Sequence, residues 1–292
     1  MTTKKVKHAY LIIAYGQPAH LQRLIEALDD VRNDIFVHID KKSDFDFQGL
    51  RANHSTLYIL PKPLDARWGD VSLVEVELLL IEEMLKHEAY QYCHFLSDSD
   101  FPIKSQDYIH AQCDTYHGKE FIGYASAENV KEEIANKVQY YYLFSKDFKN
   151  ATILQRGVRF LFLRLQHILQ IKRNRNVAFK KGCQWCSITY ALAEYLFSQR
   201  DEIIDMFKHT YCSDEIFIQT MCWNSVFRDH IYRIDDEFGG CFRYIKWKEN
   251  RIDPIREEDV DKMIASDCWF ARKFSQDQEK LLDSIKRKWK DA

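Results

Sequence analysis

Two carboxylates one residue apart, Asp98 and Asp100, close the apolar run Tyr92-Cys-His-Phe-Leu-Ser97, and Pro102 follows at once. An apolar run bounded by turn chemistry reads as a buried strand. Ligands of open α/β sheets bind beyond the carboxyl ends of such strands. Acidic groups at that edge can hold a divalent metal, a sugar hydroxyl or a helix N-terminus. Hard oxygen donors suit Mg2+ or Mn2+ bridging the diphosphate of a nucleotide-sugar. Capping the helix that follows is the structural alternative. Two other clusters carry chemistry. Ser213-Asp-Glu215 sets adjacent carboxylates at the start of a helix expected over 214–223, where the helix dipole favours them. Near an apolar wall such a carboxylate gains basicity and can take a proton from a hydroxyl. Phe270-Ala-Arg-Lys-Phe274 places Arg272 and Lys273 between aromatic residues, able to neutralise a leaving diphosphate.

The elements that must position these groups alternate clearly in the first hundred residues. Residues 7–14 read as a strand, and Tyr15-Gly16-Gln17-Pro18 as a turn with proline near a helix start. Leu21, Leu24, Ile25 and Leu28 follow at helical spacing. Strands are expected at 35–39, ending at Asp40, at 57–60 and at 92–96. Ser72 with Glu75 makes a capping box for a helix through Leu85. This order predicts an α/β fold: a Rossmann-like, mostly parallel central sheet flanked by helices. Beyond residue 105 the pattern loosens, with a strand expected at 121–124 and helices at 190–199, 214–223 and 276–289. Residues 156–181 mix large apolar side chains with eight Lys or Arg. The preferred reading is a helix packed on the core with a solvated basic face; the alternative is peripheral membrane contact. Without repeats or an evident linker the chain reads as a single domain over 1–292. Its nucleotide-binding part covers about 1–125 and its acceptor and catalytic part about 126–292.

Composition narrows the classes. The chain has 292 residues, 46% of them hydrophobic, enough for a large core, and its net charge of −2 gives no global attraction to nucleic acid. Aromatic residues, at 14%, suit a sugar cleft or a large core alike. Eight scattered cysteines, with only Cys183 and Cys186 at C-x-x-C spacing, read as reduced thiols of a cytosolic protein. The charged start is followed by a strand rather than an apolar signal region. No stretch approaches the roughly 20 apolar residues of a membrane span. The expected location is therefore cytoplasmic, with membrane association through 156–181 as the alternative. A phosphatase of the haloacid dehalogenase type would use Asp98 as nucleophile, with Asp235-Asp236 as its later acidic pair. Pro102 stands where that motif wants Thr or Val, so this reading ranks last.

Eight segments in order resemble the core-2/I-branching β-1,6-N-acetylglucosaminyltransferase family, which includes the peptide xylosyltransferases. They are Ala9-Tyr-Leu-Ile-Ile-Ala14, Val37-His-Ile-Asp-Lys-Lys-Ser43, Arg67-Trp-Gly-Asp-Val-Ser-Leu73 and Phe95-Leu-Ser-Asp-Ser-Asp-Phe-Pro-Ile-Lys104. After these come Gly182-Cys-Gln-Trp185, Ser213-Asp-Glu215, Arg243-Tyr-Ile-Lys-Trp247 and Phe270-Ala-Arg-Lys-Phe274. The resemblance implies a GT-A-type nucleotide-sugar-binding fold and inverting transfer from a UDP-sugar to a hydroxyl of a glycan or lipid-linked saccharide. UDP-GlcNAc is the expected donor, UDP-xylose the next.

By the same resemblance Glu215 matches the catalytic base and Asp40 a residue contacting the nucleoside. Lys273, with Arg272 beside it, matches the cation on the UDP diphosphate. A second arginine shares that task; Arg251 is the first candidate and Arg243 the next. Lys42, Trp68 and Asp100 fall within matching segments on the nucleotide-sugar side. Trp185 is placed to stack on a sugar, with Gln184 and Asp214 on the acceptor side.

Two departures stand out. The family works without a metal and carries a small or apolar residue where this chain has Asp98. No cofactor is therefore expected; if an ion binds, it is Mn2+ or Mg2+ on Asp98 and Asp100. The animal members are Golgi type II membrane proteins with disulfides, so an anchorless chain reads as a bacterial cytosolic relative serving capsule or exopolysaccharide assembly. The rival readings are a metal-dependent GT-A enzyme using Asp98 and Asp100, and a carbohydrate-binding protein without catalysis.

Overall fold

The computed structural model describes residues 6–44, 47, 49–249 and 251–290. The first five residues of the charged start lie outside them. The chain runs β1 (His8–Ala14), α1 (Pro18–Leu28), β2 (Asn33–Ile39), β3 (Thr56–Ile59), α2 (Ser72–Leu85), β4 (Tyr92–Ser97), β5 (Asp100–Pro102) and α3 (Gln106–Thr115). Then follow α4 (Val130–Val138), α5 (Ile153–Ile168), β6 (Ser187–Thr189), α6 (Tyr190–Ser198), α7 (Arg200–Phe207), α8 (Phe217–Trp223) and α9 (Glu237–Gly240). The last elements are β7 (Arg243–Ile245), β8 (Trp247–Lys248), β9 (Arg251–Ile252), α10 (Val260–Ile264), β10 (Phe270–Arg272) and α11 (Glu279–Lys290).

The main sheet has the order β3-β2-β1-β4-β6. β1 pairs in parallel with β2 and β4, β2 with β3, and β6 closes the edge antiparallel to β4. This is the mostly parallel, helix-covered sheet expected from the alternation of the first hundred residues. β1 is buried along its whole length, which is why His8–Ala14 reads as a near-continuous apolar run rather than an alternating one. From β1 the chain builds outward to β2 and β3, then crosses to β4 on the other side. The junction of β1 and β4 is thus a topological switch point, where a crevice opens beyond the strand ends.

A second sheet, β5-β10-β7, continues from β4 through Ser99. β10 lies antiparallel to β5 and parallel to β7. One core lies between the main sheet and α2, α6 and α8; the other packs α1, α3 and α11 on the opposite face and under the second sheet.

Three local expectations change. Ser72 makes no capping box: it is the first residue of α2, its amide is taken by Asp70 Oδ2 at 3.1 Å, and its hydroxyl accepts from the Arg67 amide at 3.0 Å. Residues 121–124 form no strand; Phe121 makes a single bridge to Ser187, and Glu120 one to Ile231. The helix expected over 214–223 is broken, with a 3-10 turn at Ser213–Glu215 and α8 beginning at Phe217.

Candidate active site

Asp98 ties the two sides of the switch point together. Its Oδ2 accepts the backbone amides of Tyr15 at 2.7 Å, Gly16 at 2.9 Å and Gln17 at 3.2 Å. These are the residues leading into α1, so Asp98 serves a helix N-terminus, though not that of the following helix. α3 is capped instead by Ser105, whose hydroxyl accepts the Tyr108 amide. Asp100 is equally engaged: its Oδ2 accepts the amide of Ser97 at 2.5 Å and its hydroxyl at 2.9 Å, and its Oδ1 lies 3.5 Å from Arg272 Nε. This donor set does not fit a divalent ion. One oxygen of each carboxylate is saturated by hydrogen-bond donors, and a guanidinium already faces Asp100.

Arg272 is the most telling cation of the site. Its guanidinium lies 4.6 Å from the centre of the Trp185 ring and pairs with Asp100. Yet Nε and Nη1 are buried without a hydrogen-bond partner. A guanidinium with unanswered donors in a cleft is suited to an oxyanion, which it can grip in a planar fork. Trp185 is buried, and the guanidinium occupies a face of its ring. The expected sugar-stacking platform is therefore first a support for Arg272. Lys273 is exposed beside it, with its carbonyl bonded to the Ile255 amide at 3.0 Å.

The two arginine candidates separate sharply. Arg243 is buried and donates to the carbonyls of Cys241 and Cys186, each at 2.8 Å, and to the Ser187 hydroxyl at 3.1 Å. It also lies over the Phe270 ring at 4.5 Å. It staples the two sheets and is not available to a diphosphate, which corrects the placement expected from sequence. Arg251 is exposed on the β8–β9 hairpin, opposite Lys248.

Asp40 and Lys42 close on each other at the end of β2. Asp40 accepts the amides of Lys42 at 2.7 Å and Ala66 at 2.9 Å, while Lys42 Nζ reaches Asp40, Asp65 and the Ala66 carbonyl. Both charges hold the 64–66 loop across the cleft. Trp68 follows that loop, half-exposed, its ring edge-on to Tyr211.

Glu215 sits in a carboxylate–ammonium network. Its Oε1 pairs with Lys137 and lies 3.8 Å from Lys181, and Glu133 joins both lysines at 2.8 Å. Burial works against the Lys137 ammonium, but the Glu215 and Glu133 carboxylates hold its pKa above the usual lysine value. Asp214, next in the chain, is buried with Oδ1 unpartnered. Burial first, and then the Glu215 charge, push its pKa up to about 7. Gln184 donates to Glu77 at 2.7 Å, and Glu77 is itself pushed well above the carboxylate range by burial.

One segment, Gly182–Trp185, joins both ends of the site. The Gly182 amide donates to the Glu215 carbonyl at 2.9 Å, and Trp185 supports Arg272. Gly182 is required there, because a Cβ would stand 1.9 Å from the Gly123 carbonyl oxygen.

Sequence reasoning missed Lys137, Lys181, Glu133 and Glu77. Glu133 and Lys137 carry an i,i+4 pairing signal on α4. Glu77 lies on the apolar face of α2, between Val74 and Ile81, which is itself a mark of a buried acid. Lys181 adjoins a matched segment but carried no signal of its own.

Among the described residues one further group has metal-ligating atoms close together: His8, His94 and Cys113, all buried within 4.8 Å of one another. The ring nitrogens are already bonded in series, from Ser187 to His94 (2.8 Å), His94 to His8 (3.0 Å) and His8 to Gln91 (3.3 Å). Burial lowers both imidazole pKa values. This is a core relay of neutral rings.

A mostly parallel, helix-covered sheet with a topological switch point beyond its strand ends places the chain among ligand-binding α/β proteins. Residues 8–268 match the sequence profile of the Core-2/I-Branching enzyme family, and the chain belongs to that family of glycosyltransferases. It is similar to human Xylosyltransferase 1, 21% identical over 77% of this chain and 23% of that protein. It is also similar to Xylosyltransferase oxt of Drosophila melanogaster, 21% identical over 76% and 25%. For Xylosyltransferase sqv-6 of Caenorhabditis elegans the identity is 23% over 96% and 36%. The chain thus spans between 23% and 36% of the length of these relatives. A solved structure of mouse Xyloside xylosyltransferase 1 in its apo form aligns over 90% of this chain and 96% of that one, at 10% identity and a TM-score of 0.36. No described helix is long and apolar enough to cross a membrane.

Proposed function

We propose that the chain transfers a sugar from a UDP-sugar to a hydroxyl of a glycan or lipid-linked saccharide, with inversion and without a resident metal. Glu215 takes the proton from the acceptor hydroxyl. Arg272 and Lys273, with Arg251 as a third candidate, carry the charge of the departing UDP. Asp40, Lys42, Trp68 and Asp100 shape the nucleotide side, and Gln184, Trp185 and Asp214 the sugar and acceptor side. Inversion needs a base on one side of the anomeric carbon and positive charge on the other. The observation that carries the reading is the Gly182–Trp185 segment, which bonds to Glu215 at one end and supports a guanidinium with unanswered donors at the other. In a water-poor cleft, preorganised charge of this kind contributes several kcal/mol to the transition state.

UDP-GlcNAc is the donor suggested by the family's defining reaction. UDP-xylose is the second reading, favoured by the names of the three relatives. A panel of UDP-sugars, assayed for transfer and slow hydrolysis with and without chelator, separates them. Glu215→Gln is expected to keep UDP binding and lose about 10²–10⁴-fold in turnover. Turnover close to wild type would overturn the assignment, and loss of activity to chelator would restore the metal-dependent reading.

A further inference from the structure

α5 is mounted with its polar side inward. Arg159 and Gln166 are its only fully buried residues, 7% and 1% exposed. Arg159 donates to the carbonyls of Leu143 and Phe144 at 3.0 and 3.1 Å, and its guanidinium lies 4.2 Å from the centre of the Phe148 ring. Gln166 accepts the Tyr141 amide at 2.8 Å and donates to the Tyr141 carbonyl at 3.0 Å. The opposite side carries Leu154, Val158, Leu161, Leu165 and Ile168, alternately four and three residues apart and between 39% and 77% exposed. That spacing lines one face of a helix along its whole length. The expectation of a core-packing helix with a solvated basic face is therefore reversed. The apolar face is the one in water.

A continuous apolar stripe of this size marks an interaction surface, and the surrounding charge selects its partner. Exposed Arg156, Arg164, Lys172 and Arg175 accompany it. No Asp or Glu occurs anywhere from Phe148 to Ala193. A second copy docking about a twofold axis would set this cationic rim against itself with no acid in the segment to answer it. A bilayer bearing anionic headgroups answers both halves of the pattern.

We propose that α5 lies in the plane of an anionic membrane surface, its leucine stripe at the acyl boundary and its arginines among the phosphates. Inward from α5 a chain of contacts leads to the site. Phe148 stacks on Tyr211 at 3.8 Å, Lys137 lies 5.7 Å from the Tyr211 ring centre, and Lys137 pairs with Glu215. The docked helix therefore holds Glu215, a short series of contacts away, near the membrane surface. Resting on the function proposed above, this makes a lipid-linked saccharide the acceptor class.

The test is co-sedimentation of the full chain with vesicles of phosphatidylcholine plus phosphatidylglycerol, against phosphatidylcholine alone. Wild type is expected to bind the anionic vesicles, with affinity falling as salt rises. Arg156→Gln and Arg164→Gln should each weaken binding about fivefold. The double variant Leu161→Asp, Leu165→Asp should lose it while keeping the wild-type circular dichroism and melting midpoint, because both side chains stand in solvent. Equal binding to the two vesicle types, or unchanged binding by the double variant, would overturn the proposal. So would a concentration-dependent dimer in sedimentation velocity that the double variant dissolves. Vesicle binding is read without any UDP-sugar, so binding without transferase activity would defeat the proposed reaction and leave this surface standing.

Discussion

Arg272 shows how much a single residue can carry and how little of that is visible beforehand. Residue type and the aromatic neighbours Phe270 and Phe274 mark it as a cation of interest. The stack on Trp185, the pairing with Asp100 and the unanswered Nε and Nη1 appear only once β10 is set against β5. Arg272→Lys keeps the charge but gives up the planar fork and the ring stack. By calorimetry it is expected to weaken UDP binding about tenfold or more, since hydrogen bonds to charged groups are worth about 1.5–3 kcal/mol each; unchanged affinity would remove Arg272 from the diphosphate site. Arg243 is the counterexample. Its type and motif looked the same, but burial among the carbonyls of Cys241 and Cys186 commits it to the fold. No linear pattern distinguishes a guanidinium that staples two sheets from one whose Nε and Nη1 both stay without a hydrogen-bond partner, because the difference lies in which backbone oxygens surround it.

At the scale of elements, periodicity located β1, α1, β2, β3, β4 and α2 to within a residue or two, because all but the exposed edge strand β3 are fixed by their own burial patterns. Junctions were harder. Asp70 rather than Ser72 receives the first α2 amide, and the α8 region breaks at Ile216. α5 misled most: its amphipathic period was plain, but the sequence does not say which face meets the protein. That depended on Leu143, Phe144 and Tyr141, whose free carbonyls draw Arg159 and Gln166 inward. Asp98 belongs to this scale too, as the tie between β4 and the start of α1. Asp98→Ala leaves three amides without their acceptor, and should destabilise the fold by about 2 kcal/mol or more in denaturant unfolding. Asp98→Asn, which keeps a carbonyl oxygen, should cost about half as much. Both losses are expected to be the same with Mn2+ and with chelator; a deficit seen only in the presence of the ion would make Asp98 a ligand after all.

For the whole molecule, the buried titratable groups set opposing pH slopes. His8 and His94 have lowered pKa values. Below the unfolded value of about 6.5 the unfolded chain binds protons that the folded one refuses, so their contribution is lost as pH falls. Glu120 behaves in the opposite sense. Burial raises it from 4.5 to about 7, although the Thr189 hydroxyl and amide both bond to it. Between those values the folded chain holds a proton that the unfolded one has released, so stability falls as pH rises. Glu120→Gln removes that second slope. In thermal melts the variant should gain on wild type between about pH 5 and pH 8, and a constant difference would show that Glu120 stays charged in the fold. An apolar stretch hints that an acid or imidazole within it is buried, as for His94 in the run from Tyr92 to Ser97, but the size of its shift comes only from the walls that close over it.

The back-to-back approach of Gly123 and Gly182 has a mechanical meaning. The Ala125 amide donates to the Lys181 carbonyl beside it at 2.8 Å, and a methyl group on Gly182 would stand 1.9 Å from the Gly123 carbonyl oxygen. The contact is a fulcrum on which Gly182–Trp185 rests, with Glu215 on one arm and Arg272 on the other. The level at which this segment holds the Glu215 carbonyl and the Trp185 ring is thus set by a close approach that only a residue without a side chain allows.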